Sequence, residues 1–187
     1  SLAAYGLAIM KSNWGNRIST FLLFSKLVPT ITIMIPLYII LDKVHLLGTY
    51  VGPILAHVSV NAPFVAWLVL GFIRDIPGDL FEAGKLDGCT RMQVFWKIVF
   101  PLLSPAIGSA LLLVMQYSWN ELLFSMQYTN LHTYTLTVGV SRFVGAISVD
   151  WGQSSAAATI VMVPIIIAGF FLQKYLVSGL TAGAVKG

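Results

Sequence analysis

From Val51 to Ile73 the chain passes twenty-three residues without a lysine, arginine, aspartate or glutamate. A run of that length and character matches the roughly 20 helical residues that cross a bilayer core. Ile18 to Leu41, Ser104 to Leu123 and Ser154 to Leu176 are comparable, each carrying a single charge (Lys26, Glu121 and Lys174). Inside lipid a segment must satisfy its own backbone, so these runs predict helices. The expected fold class is all-α, a polytopic helical membrane protein with four full spans. Pro29 and Pro36 should kink the first span and Pro164 the last, freeing carbonyls toward a cavity. Ser1–Met10 is apolar but half the length of a span, and reads as the tail of a helix whose beginning is missing. The whole, 1–187, is expected to form one transmembrane domain.

Composition enters as an exclusion. Hydrophobic residues make up 57% and charged residues only 10%, where soluble domains carry about 25% charged residues. The basic residues are dispersed, with no aromatic-basic groove pattern, so no nucleic-acid partner is expected. A single cysteine rules out an internal disulfide framework and a cysteine metal cluster. His45, His57 and His132 lack ligand spacing, so no metal site is expected. There is no G-x-x-x-x-G-K-[ST] and no G-x-S-x-G, so the chain has no catalytic set and no ATP site of its own. The reading is not an enzyme.

One polar island stands between the spans, from about Arg74 to Leu103. Asp79 and Glu82 have capping-box spacing, Gly88 suits a helix-ending left-handed residue, and Thr90 with Gln93 repeats the box. Two short helices joined at a glycine elbow follow, the second closed by Pro101. That second helix places Met92, Phe95, Trp96 and Val99 at i, i+3, i+4 and i+7, one apolar stripe. The stripe suits either a docking surface or a loop lying on the membrane or on its own spans.

Charges orient the chain. Lys11, Arg17, Arg74, Lys85, Arg91, Lys97, Lys174 and Lys186 fall in loops on one side, Lys43 and Arg142 on the other. Eight against two puts the island and the C-terminus in the cytoplasm and 125–153 outside. That outer loop is long and aromatic, suited either to plugging the pathway mouth or to meeting a partner. Within the spans, Asn61, Gln116 and Asn120 either bond between helices or line a polar path. Trp119 is either an interface aromatic or a stacking platform, Lys26 should snorkel, and Glu121 should cap or pair.

The island also carries a resemblance. Glu82-Ala83-Gly84, Gly88, Ile98 and Pro101 match E-A-A-x3-G-x9-I-x2-P, the loop of permease subunits of bacterial binding-protein-dependent ABC importers. Asp87-Gly88, Trp119-Asn120-Glu121 and the ending Gly179 to Gly187 are similar to the carbohydrate branch, of the maltose and glycerol-phosphate type. Gly84 and Cys89 depart from the usual residues, both staying small. The likeness covers nearly the whole chain. It implies the ABC importer type I permease core, with one span and part of the next absent before Ser1, in a bacterial plasma (inner) membrane.

The function it implies is half of a sugar or polyol import pathway working by alternating access. The partners implied are two ATPase subunits that bind ATP and Mg, a second permease subunit (homologous or identical), an extracytoplasmic sugar-binding protein and membrane lipid. No cofactor is implied in this chain. The island at 74–103 would be the coupling loop. Asp79 and Glu82 would anchor it, Ala83 and Gly84 give close contact, Asp87-Gly88 form the elbow, and Ile98 and Pro101 complete the motif. Gly183 and Lys186 in the C-terminal tail would reach the ATPase interface, and the loop 125–153 would meet the binding protein. A channel or ion-coupled secondary transporter is the alternative, but it calls for buried acidic pairs or inverted repeats, and neither is visible. An intramembrane enzyme would need a nucleophile and a base, whereas Lys26 and Glu121 lie at opposite ends. A scaffold subunit would need no ATPase on the island.

Overall fold

A computed structural model of the chain describes residues 1–10, 14–143 and 150–184, with side chains as far as Gln173. Every regular element among the described residues is a helix. Val51–Asp75 and Trp151–Gln173 are long and apolar enough to cross a membrane as single rods. Two interrupted helix pairs bring the number to four if each pair counts as one span.

The interruptions correct the expected boundaries. The first run is not one kinked helix: Trp14–Phe24 leads into a 3-10 turn, Ser25–Leu27, and a new helix, Thr30–Lys43, starts after Pro29. Proline has no N–H and pushes the preceding residue out of helical geometry, so Pro29 breaks the run. Pro36, Pro63 and Pro164 instead sit inside continuous helices. The third run helices only over Ser104–Asn120 and meets Arg91–Leu102 at a 67° bend. The last helix starts at Trp151 and continues to Ala184, longer at both ends than the apolar run.

The chain packs as two compact units. The first comprises Ser1–Leu27, Ala62–Leu112 and Leu172–Gly187. Its core joins Val69, Leu70 and Ile73 to Phe95, Val99 and Leu103. The short Leu2–Ile9 helix closes this core: the Tyr5 ring lies 5.2 Å from Phe95 and its hydroxyl donates to the Arg91 carbonyl at 3.1 Å.

The second unit comprises Val28–Asn61 and Leu113–Phe171. Its core is Leu41, Ala56, Phe124 and Tyr128. The segment expected to be an outer loop is therefore partly core. It opens as a helix, Leu123–Tyr128, whose Phe124, Ser125 and Tyr128 are fully buried. A second short helix, Leu136–Ser141, is capped by the Thr135 hydroxyl. Between them, Asn130 and Thr133 both donate to the Gly48 carbonyl, at 3.0 and 3.1 Å, which ties the turn to the 44–50 connection.

Candidate functional site

The polar island is an elbow of two helices, Gly78–Leu86 and Arg91–Leu102. Backbone bonds close its joint. Gly88 has φ +76°, and past it the Cys89 N–H donates to the Gly84 carbonyl while the Gly88 N–H donates to the Lys85 carbonyl. This pair satisfies the Gly84 and Lys85 carbonyls in the last turn of the first helix, and the left-handed residue at its centre favours glycine. Two residues on, the Thr90 hydroxyl accepts from Gln93 N–H, and the Gln93 side chain accepts from Thr90 N–H at 2.8 Å. The second expected capping box is present in full.

The first is not. The Gly78–Leu86 helix begins after Pro77, with no side-chain cap, and Asp79 lies inside the first turn. Pro77 has the fixed φ that starts a helix without needing a donor, so the helix begins upstream of the expected cap. Asp79 there contributes charge near the positive end of the helix dipole instead.

The second helix also differs from its expected form. It widens into a π turn at Phe95–Val99, where the Phe100 N–H reaches back to the Phe95 carbonyl. The wider turn leaves room for Pro101, which would otherwise press on the carbonyl four residues back. The helix thus passes Pro101 and ends at Leu102. Val94, Phe95 and Val99 are buried, whereas Met92 and Trp96 stand half exposed.

Gly84 is buried, and a Cβ there would come within 2.9 Å of Ile98 and 3.1 Å of Val94. Its lack of a side chain serves the packing of one elbow helix on the other, which takes Gly84 off the surface an outside partner would meet. Ile98 is half buried on the facing side of that contact. Glu82, Ala83, Asp87 and Pro101 are exposed, and Leu86 is 88% exposed at the tip. Nothing in the hydrophobic pattern singled out Leu86, because one apolar residue on a polar helix carries no period. Gly183 lies in the last turn of the Trp151–Ala184 helix rather than in a loose tail, and Lys186 lies outside the described residues.

The second unit holds an open cleft of about 490 Å³. Gln116, Tyr117, Asn120 and Glu121 line it together with Thr30, whose hydroxyl lies 3.4 Å from the Tyr117 hydroxyl. The cleft therefore gathers two of the four expected pathway residues. The other two turn elsewhere. Trp119 donates its indole N–H to the Val161 carbonyl at 3.2 Å, and the buried Asn61 donates to the His57 carbonyl on its own helix at 2.9 Å. Thr30 and Tyr117 were not foreseen, since only the fold brings position 30 beside position 117.

Glu121 anchors one edge of the cleft. Its Oε1 accepts from the buried amide of Phe124 at 2.9 Å, and its Oε2 accepts from that of Ser125 at 3.3 Å and lies 3.9 Å from His57 Nε2. It caps the Leu123–Tyr128 helix, as expected of a capping or pairing residue. Below it the Tyr128 hydroxyl donates to the Met34 carbonyl at 2.6 Å. Burial, reinforced by Glu121, pushes that hydroxyl up to about 12. Lys26, in the first unit, places its ammonium 5.6 Å from the centre of the Phe64 ring.

Comparison with known proteins agrees with this architecture. The family model of the inner membrane component of binding-protein-dependent transport systems matches residues 1–182. A probable ABC transporter permease protein of Sinorhizobium fredii is 36% identical over 98% of this chain and 66% of its own length. The trehalose/maltose transport system permease protein of Thermococcus litoralis is 34% identical over 100% of this chain and 68% of its own. The melibiose/raffinose/stachyose import permease protein of Bacillus subtilis is 33% identical, with the same two coverages. The chain thus spans about two thirds of the length of these curated relatives. Among solved structures, a bacterial ABC transporter that imports the acidic polysaccharide alginate superposes with a TM-score of 0.71 at 23% identity, over 92% of this chain and 65% of that one, a likeness of fold. The chain belongs to the family of inner membrane components of binding-protein-dependent transport systems, the permease subunits of ABC importers.

Proposed function

We propose that this chain is the membrane-spanning half of an ATP-driven importer for a sugar or polyol, coupled through the elbow to a separate ATPase. The observation that carries the coupling reading is the elbow itself. Its joint is closed by backbone bonds and a capping box, while Glu82, Leu86 and Asp87 are left to solvent at one end. A rigid, self-satisfied knob with an exposed leucine at its tip suits insertion into a partner's groove. Burying that leucine would contribute about 2 kcal/mol. ATP and Mg would be held by the two partner ATPase subunits. Their closure would move the elbow and rock the spans between inward-open and outward-open states.

The sugar reading rests on the cleft and on the relatives. Thr30, Gln116 and Tyr117, with Asn120 whose amide also donates to the Gln116 carbonyl at 2.8 Å, place neutral polar groups beside an aromatic ring, which suits a polyhydroxyl solute. The names of several relatives specify trehalose, maltose, melibiose or raffinose. An extracytoplasmic binding protein would deliver the solute to the turn at 129–134, and a second permease subunit would complete the pathway. The eight-to-two division of charge supports an elbow and C-terminus in the cytoplasm.

The test is uptake of labelled trehalose, maltose, melibiose and raffinose by cells expressing the full-length subunit with its neighbouring importer components. Gln116→Ala with Asn120→Ala should raise the KM for one of these at least tenfold while the ATPase subunits still co-purify. In the same cells, with any cysteine outside residues 1–187 replaced by serine, a membrane-impermeant maleimide should reach Cys89, the one thiol of this sequence, after the bilayer is opened and not before. Unchanged uptake of every sugar in the double variant would remove the cleft from the pathway.

A further inference from the structure

We propose that the first unit carries a binding site for a phosphate group, presented by an anionic phospholipid, that clamps the elbow to the span beside it. A cleft of about 390 Å³ opens between the Leu2–Ile9 helix, the end of the Val51–Asp75 helix and both elbow helices. Arg74, Lys85 and Arg91 line it, one from each of the last three of these helices, and no carboxylate does. Arg74 donates one guanidinium N–H to the Asn16 side chain at 2.9 Å, and none of the three cations forms an ion pair among the described residues. Asp75, the next residue along, is exposed and outside the lining, as are Asp79 and Glu82.

Two features make this a built site rather than scattered surface charge. Arg91 follows directly on the Thr90 cap, and its carbonyl receives the Tyr5 hydroxyl, so its backbone is held from both sides. The remaining wall, formed by Tyr5, Ala8 and Ile9 of the Leu2–Ile9 helix with Ile73, Ile76, Phe81 and Val94, is apolar apart from the Tyr5 hydroxyl, which is already bonded to the Arg91 carbonyl. Three cations against an apolar wall suit an amphiphile. Guanidinium forks take the phosphate oxygens, and the wall takes the start of an acyl chain. Because each cation sits on a different helix, one phosphate bridging them would fix the elbow's angle to the span. The site concerns the elbow's rigidity and does not depend on which solute the importer moves.

The test is native mass spectrometry of the assembled importer, released from nanodiscs of phosphatidylcholine with and without phosphatidylglycerol. Wild type should retain phosphatidylglycerol over phosphatidylcholine, and R74Q/K85Q/R91Q should lose that preference by about fivefold for each charge removed. R74K/K85R/R91K should keep it, which separates charge from folding. Ten millimolar inorganic phosphate should leave the retained lipid in place. Displacement by phosphate would overturn the lipid as the source and assign the site to a free anion. Equal retention in wild type and the neutral triple variant would overturn the site. So would loss of the ATPase subunits from the neutral variant with lipid retention unchanged, since the cleft would then belong to a partner's carboxylate.

Discussion

The elbow and the cleft are built by opposite means. In the elbow, the bonds that decide the shape join residues within five positions of one another: Cys89 to Gly84, Gly88 to Lys85, Thr90 to Gln93. In the cleft, the defining neighbours are far apart in sequence. Thr30 meets Tyr117, Glu121 meets His57, and Tyr128 reaches Met34. The elbow's joint is therefore written in short-range bonds, even though Tyr5, Val69, Leu70 and Ile73 seat its second helix. A site written in long-range contacts depends on the whole unit folding, and is free to change its lining without changing its frame.

The largest expected effect comes from forcing the elbow's joint. Gly88 has φ +76°, and a β-branched side chain there costs about 1–3 kcal/mol. Gly88→Val should therefore abolish uptake while the subunit still inserts in the membrane, measured by transport in cells and immunoblotting of membranes. Wild-type uptake would mean the elbow tolerates a different joint, and the contrast with the cleft would weaken.

Glu121→Ala should come next and act on the cleft alone. It strands the buried amides of Phe124 and Ser125, at a cost of about 1–3 kcal/mol for each buried donor left unpaired. A thermal-shift assay of the purified importer should show a lower Tm, with Glu121→Gln in between because it keeps one acceptor oxygen. Equal Tm values for Glu121→Ala and wild type would mean that water replaces the carboxylate.

The two ends of the elbow separate at smaller magnitude. Thr90→Ala removes a formed cap and should cost about 1 kcal/mol. Asp79→Ala removes only a first-turn charge and should cost about 0.3–1 kcal/mol at low salt, declining as salt rises. Protease sensitivity of the loop at two ionic strengths distinguishes them. A salt-independent loss of equal size at both positions would restore Asp79 as a cap.

Smallest of all is Gly84→Ala. The new Cβ would meet the far end of the flexible Ile98 side chain, which can shift, while alanine gains up to about 1 kcal/mol in helix propensity. Stability should change little in the same protease assay. A collapse would show that Val94, rigid at its branch, cannot yield.

These contrasts explain what the sequence made legible. The helical membrane class followed from the apolar runs, and Gly88 with the Thr90–Gln93 box followed from local rules. The Asp79–Glu82 spacing misled because Pro77 starts the helix earlier by a different device. The stripe through Met92 and Trp96 misled because the core takes the neighbouring face, Val94, Phe95 and Val99, and the period alone did not show which side of the helix would meet Val69, Leu70 and Ile73. In the cleft, Gln116 and Asn120 were visible as polar residues on one helix face, four apart. Trp119 was visible as an aromatic, but its partner Val161 lies forty-two residues away, beyond any local rule. The 125–153 segment looked like a loop because it is too polar to cross a bilayer, and its aromatics gave no sign that Tyr128, stacked 5.5 Å from Phe124 just before the segment, would pack on the distant Leu41 and Ala56.

The central claim is that the tip of the elbow sits in an ATPase subunit. Leu86→Cys in a Cys89→Ser background, labelled with benzophenone maleimide in the assembled importer and irradiated, tests it most directly. The account predicts a cross-linked product of this subunit with an ATPase subunit, and its yield should change when ATP is bound. A transport-competent complex in which residue 86 cross-links only to lipid, or within its own chain, would contradict it.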